Sequence, residues 1–153
     1  MEPQDRVLVI ERVFDAPREM VWDAFTKTDH LLQWMGPRNY QAASFQTDVR
    51  VGGKWRGCLR STEELQDLWQ GGRYLEVEPP KRLVYTFQWD KRNDQDETFE
   101  TIVTVLLEDH DGKTLMKFYQ SIFNTKSNRD GHVFGWTSSF DRLAEYLAGA
   151  AKP

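Results

Sequence analysis

The chain has 153 residues, a formal net charge of -4 at pH 7 and a single cysteine, Cys58. That length sustains one domain, 1–153, with a real core; the acidic balance without a basic run speaks against a nucleic-acid partner, and one cysteine excludes an internal disulfide or a thiolate metal centre. No apolar run of about 18 residues appears and Met1 to Asp5 is polar, so neither a membrane partner nor a signal peptide is expected and the chain is placed in the cytoplasm. Arg6 to Phe14 is β-branched and apolar and reads as a first strand. Asp15 is the expected N-cap of a helix from Pro17 to Thr26, with Val21, Trp22 and Phe25 at the spacing of a buried face. Asp29 is expected to cap a second short helix, His30 to Met35, stopped by Gly36-Pro37.

Tyr40 to Val49 reads as the second strand and ends at Gly52-Gly53. Lys54 to Arg60 alternates, Trp55, Gly57 and Leu59 against Lys54, Arg56, Cys58 and Arg60. After an acidic turn region at Ser61 to Gln66, Leu68 to Glu78 is a strand, with a bulge or tight bend expected at Gly71-Gly72. Arg82 to Asp90 gives the sharpest alternation: Leu83, Tyr85, Phe87 and Trp89 share one face. Asp90 to Glu97 is a solvated hairpin loop whose mixed charges lack calcium-loop spacing. Phe99 to Glu108 carries Val103, Val105 and Leu107 on one face, and Asp111-Gly112 turns the chain into Thr114 to Ile122. There Thr114, Met116, Phe118, Gln120 and Ile122 align.

The last stretch, Asp130 to Ala148, organises the rest. On a helical wheel Val133, Trp136, Thr137, Phe140, Leu143, Ala144 and Leu147 fall within an arc of roughly 120°. Asn128 or Asp130 can supply the N-cap, and Gly149 suits the position past the end. At 1.5 Å per residue the helix is about 28 Å long, matching an eight-residue strand. About six strands in series with short connections, followed by this helix, predict an α+β fold: an antiparallel sheet beneath one amphipathic helix. One helix does not plug the whole face of a twisted sheet. The gap is either filled by aromatic side chains, here 13% of the chain with six tryptophans, or left as a cavity.

Several short patterns recur together: Phe14-x-Ala16-Pro17 leading to Val21-Trp22, Gly52-Gly53-Lys54-Trp55, Gly72-x-Tyr74-x-Glu76-Val77-x-Pro79-Pro80-x-x-Leu83, and Gly131-His132-x-x-x-Trp136. In this order, over about Arg6 to Leu147, the chain resembles the START-like, helix-grip superfamily. Within it the sequence is most similar to the branch named for the activator of the heat-shock-protein-90 ATPase. The resemblance implies a curved antiparallel sheet of six to seven strands wrapped around the C-terminal helix, two short helices after strand 1, and an apolar cavity between sheet and helix. Other members bind lipids, hormones or polyketides, and a few catalyse cyclisation or dehydration in the cavity. The co-chaperone is similar only in its C-terminal domain, and this chain has no room for the separate chaperone-binding domain.

The expected cavity lining is Trp55, Tyr74, Glu76, Tyr85, Phe87, Trp89, Met116, Phe118, Gln120, His132, Trp136 and Phe140. The aromatic groups serve either as core or as walls whose phenol and indole groups orient a ligand. Glu76 is either an inward carboxylate with a raised pKa or the partner of a cation on a neighbouring strand. His132 either orients a ligand carbonyl or packs and caps. His30, His110 and His132 lack metal-ligand spacing, the glycine pairs match no phosphate loop, and Cys58 is not an activated thiol. No cofactor, metal or catalytic residue is therefore assigned. The leading expectation is a carrier of a small apolar or aromatic molecule, as monomer or homodimer. Behind it stand a co-chaperone-like module with a chaperone partner, and a polyketide cyclase-like enzyme using Glu76, Tyr85 or His132.

Overall fold

Strands joined by short turns must pair with their neighbours in antiparallel fashion, and the computed structural model, which describes residues 4–63, 66–90 and 99–150, follows that rule. The strands are β1 (Leu8–Phe14), β2 (Tyr40–Thr47), β3 (Lys54–Ser61), β4 (Asp67–Glu78), β5 (Arg82–Trp89), β6 (Thr101–His110) and β7 (Lys113–Ser121). They form one sheet in the order β1-β7-β6-β5-β4-β3-β2. β2 to β7 are therefore a meander, while β1 closes onto β7 at the far edge. The helices α1 (Arg18–Thr26) and α2 (Thr28–Trp34) carry the chain from one edge of this curled sheet to the other. The long helix α3 (Lys126–Ala150) follows β7. The solvated loop expected after β5 lies, apart from Asp90, outside the described residues.

The alternation translates directly into burial. Leu83, Tyr85 and Phe87 of β5 and Val103, Val105 and Leu107 of β6 are buried. On β7 Thr114, Met116, Phe118 and Gln120 each retain 0% exposure. Asp111 (φ 54°) and Gly112 (φ 84°) adopt the left-handed conformation that a tight hairpin requires. Phe140 of α3 meets Phe118 at 5.1 Å and Trp136 at 5.5 Å between ring centroids, with Phe25, Trp34 and Phe14 at 6.3–6.4 Å. The middle of the sheet–helix space is thus filled by rings, most of them edge-on or tilted.

The structure corrects several boundaries. α3 starts earlier than expected: the Thr125 hydroxyl, not Asn128 or Asp130, accepts from the Asn128 backbone N–H at 3.0 Å and caps it. Gly149 lies inside α3 and has no left-handed φ. Pro17 and Lys27, not Asp15 and Asp29, occupy the N-cap positions of α1 and α2, without side-chain caps. The buried face of α3 is rotated from the expected arc: Thr137 is exposed and Ser139 buried. Ser139 tolerates burial because its hydroxyl donates to the Gly135 carbonyl at 2.9 Å. Ile122 is 44% exposed, since β7 ends at Ser121 and Phe123 takes the inward place with 0% exposure.

The expected bulge at Gly71-Gly72 is also displaced. β3 pairs with both glycines in regular register, and the shift in β4–β5 pairing falls between Tyr74 and Glu76. The glycines serve close approach instead: a Cβ on Gly72 would stand 1.9 Å from the Thr86 carbonyl oxygen. Through that gap the Trp55 indole N–H donates to the same carbonyl at 3.0 Å.

Candidate functional site

The rings that fill the centre leave space towards the N-terminal half of α3. A cavity of about 300 Å³ opens there. Its floor is Leu59, Leu68, Gln70, Phe87 and Trp89 from β3, β4 and β5; its roof is Asn128, Gly131, His132, Gly135, Trp136 and Ser139 from α3. Met35, Gly36, Pro37 and Tyr40 form the side. That side belongs to the loop leaving α2, where Gly36 (φ 109°) turns the chain. Arg142 pins the loop to α3: its guanidinium donates to the Gly36 carbonyl at 2.8 Å and the Tyr40 carbonyl at 3.0 Å. The Arg38 backbone N–H adds a bond to the Ser138 hydroxyl at 2.9 Å.

Gly131 and Gly135 stand one helical turn apart on the roof. A Cβ built on either meets nothing within 4 Å, so side chains there would project into open space. Volume that a roof of larger residues would occupy is left to the cavity.

His132 and Trp89 close one end. The Trp89 indole N–H donates to His132 Nε2 at 3.0 Å, and His132 Nδ1 stands 2.8 Å from the Asn128 carbonyl oxygen. Since a carbonyl only accepts, the proton sits on Nδ1 and the imidazole is neutral with both nitrogens engaged. Burial holds its pKa below the ordinary histidine value, with the Asn128 bond opposing in part. His132 therefore ties α3 to β5; neither nitrogen is left over for a ligand carbonyl.

Behind the cavity lies a second, smaller space of about 20 Å³. Met35, Gln70, Phe87 and Trp136 line both, and Trp55, Tyr74 and Tyr85 line only the inner one. Burial raises the pKa of the Tyr74 and Tyr85 phenols well above the usual tyrosine range, so both stay protonated.

The twelve residues expected to line a cavity thus divide by position. Phe87, Trp89, His132 and Trp136 border the larger space, and Trp55, Tyr74 and Tyr85 the inner one. Met116, Phe118 and Phe140 border neither space and are fully buried core. Gln120 is buried in a polar relay: it accepts from the Trp136 indole at 2.8 Å and donates to the Thr101 hydroxyl at 2.8 Å. Glu76 is exposed and lies outside the cavity, paired with Arg82 of β5 at 3.1 and 3.2 Å. The register shift after Tyr74 turns it outward, against strict alternation. Cys58 is buried, and burial raises its pKa, the reverse of an activated thiol. Among the described residues no three His, Cys, Asp or Glu side chains gather, and no helix is long and apolar enough to cross a membrane.

Sequence reasoning missed the loop wall from Met35 to Tyr40, the floor residue Gln70 and the two roof glycines. A signal for the roof was present: two glycines four apart in a helix, where alanine would be more stable, call for a reason.

Comparison with known proteins points one way. The family described as Activator of Hsp90 ATPase homolog 1-like protein matches residues 15–148. Among solved structures, a protein from Chromobacterium violaceum is similar at 26% identity and a TM-score of 0.84, covering 93% of this chain and 96% of its own. The AHSA1 protein from Silicibacter pomeroyi is similar at 28% identity and a TM-score of 0.80, with 93% and 97% covered. A protein from Arthrobacter aurescens shares the fold at 22% identity and a TM-score of 0.83, with 97% and 90% covered. No curated protein matches the chain.

Proposed function

We propose that this chain, which belongs to the family of activator of Hsp90 ATPase homolog 1-like proteins, carries a small apolar or aromatic molecule between α3 and the sheet. The observation that supports the reading is the cavity of about 300 Å³ walled by Tyr40, Phe87, Trp89 and Trp136. Ligand pockets span about 300–1,000 Å³ and combine apolar walls with a few polar groups, so this one suits a molecule of one or two rings. Its walls are preformed: Arg142 fixes the loop, the Gln120 bond fixes the Trp136 indole, and His132 fixes Trp89. A site whose walls are held in place loses little entropy on binding.

Two of the three groups that an enzyme reading would use are engaged elsewhere. Glu76 faces solvent and both His132 nitrogens are engaged. Native mass spectrometry of freshly purified protein, followed by thermal-shift screening against lipids and aromatics, tests the carrier reading. A bound small molecule or a raised Tm with aromatic compounds is expected. An empty protein indifferent to every compound would contradict it.

A further inference from the structure

Gln70, Tyr74 and Tyr85 are 3%, 3% and 7% exposed, yet among the described residues the Gln70 amide and the two phenol hydroxyls have no hydrogen-bond partner. Buried polar groups are nearly always satisfied, and one left without a partner is costly. Three such groups around one space is a concentration that packing alone does not explain. The two tyrosine rings lie 6.0 Å apart between centroids, side by side on β4 and β5. All three residues border the inner space of about 20 Å³, room for about one water-sized group. Gln70 also borders the larger cavity, so the two spaces adjoin through a shared wall.

We infer that the inner space is a polar subsite, and that the carried molecule has an apolar ring body with one neutral hydroxyl or carbonyl tip, received by Gln70, Tyr74 and Tyr85. The inference rests on the carrier reading and narrows it to a chemical class. The body occupies the cavity against Phe87 and Trp136, and the tip points to the inner space beside Gln70, which lines both. The phenols each donate one bond and accept others, and the Gln70 amide does both, so either tip finds a complement. A carboxylate tip does not fit. Among the described residues no lysine or arginine borders either space, and a buried anion without a counter-charge is costly.

Calorimetric titration with 2-naphthol, naphthalene and 2-naphthoate tests this. For the unaltered protein 2-naphthol is expected to bind about tenfold tighter than naphthalene, the worth of one to two neutral hydrogen bonds, and 2-naphthoate more weakly than 2-naphthol. In the double variant Tyr74→Phe/Tyr85→Phe the preference for 2-naphthol over naphthalene should shrink to about twofold or less. Because these changes delete only unpartnered hydroxyls, the Tm of the free variant should hold or rise, whereas hydroxyls with a structural role would lower it. Equal binding of 2-naphthol and naphthalene overturns the polar subsite and leaves the carrier reading intact. Tighter binding of 2-naphthoate overturns the neutral tip. Absence of binding by all three overturns the subsite together with the carrier reading.

Discussion

The Trp136 indole sits where it does because a single amide receives it. Gln120 has 0% exposure, so a polar atom on it left without a protein partner would be costly. Its carbonyl accepts a hydrogen bond from the indole N–H and its amide donates to Thr101, whose hydroxyl in turn donates to the Phe87 carbonyl at 3.3 Å. Replacing Gln120 with Met keeps the volume but orphans the indole N–H. We expect a loss of about 1–3 kcal/mol in denaturant unfolding, and a shift in tryptophan fluorescence as Trp136 loses its partner. A variant as stable as the parent would show the relay to be idle.

His132 gives a second residue-level outcome, in pH. Its folded pKa is depressed by burial, so above about 6.5 both folded and unfolded states hold a neutral imidazole and the residue adds no pH dependence. As pH falls through the ordinary value the unfolded chain takes up a proton first, and stability is lost down to the folded pKa. Below that the loss stops growing, and the imidazolium can no longer accept the hydrogen bond from the Trp89 indole. His132→Asn should therefore show a smaller drop in Tm between pH 7.5 and 5 than the parent. An equal drop would assign the acid sensitivity elsewhere.

At the scale of the element, α3 is shaped by what it omits. Gly131 and Gly135 forgo helix stability and leave open space above the cavity. Gly135→Ala should raise stability by about 0.5–1 kcal/mol, because alanine costs less backbone entropy in a helix and nothing lies within 4 Å of its Cβ. Gly135→Leu should fold as well and fill part of the cavity; a fall in Tm below the parent would show that the roof is packed and not open. Much of this helix was legible in advance, since Trp136, Phe140, Leu143 and Leu147 mark the buried stripe by period alone. Its rotation was not, because Ser139 faces inward by satisfying its own hydroxyl within the helix, a local bond that no hydropathy pattern displays. The bulge behind Tyr74 escaped for a related reason. Glycines suggest irregularity, but here they admit a tryptophan against a neighbouring carbonyl while the ladder slips three residues later.

At the scale of the whole molecule, the fold divides its sheet–helix space into a sealed half and an open half. The sealed half carries the stability: Phe140 is ringed by Phe14, Phe25, Trp34, Phe118 and Trp136. Phe140→Ala should cost about 3–5 kcal/mol, the usual price of an aromatic-sized hole, read as a lowered Tm; a change under about 1 kcal/mol would contradict that packing. The antiparallel pairing of consecutive strands could be read from the sequence, because alternation and turn chemistry dictate it, and a hollow was implied by the family resemblance. Where the hollow lies could not, since it depends on the Arg142 clamp that joins residues 102 to 106 positions apart.

The carrier account is tested most directly by titrating 2-naphthol into the parent protein and into Gly135→Leu by calorimetry. The account predicts saturable one-to-one binding in the parent and a loss of at least about tenfold in the variant with its fold intact, because leucine would occupy the space above Phe87. Failure of the parent to bind, or equal binding by a folded Gly135→Leu, would contradict it.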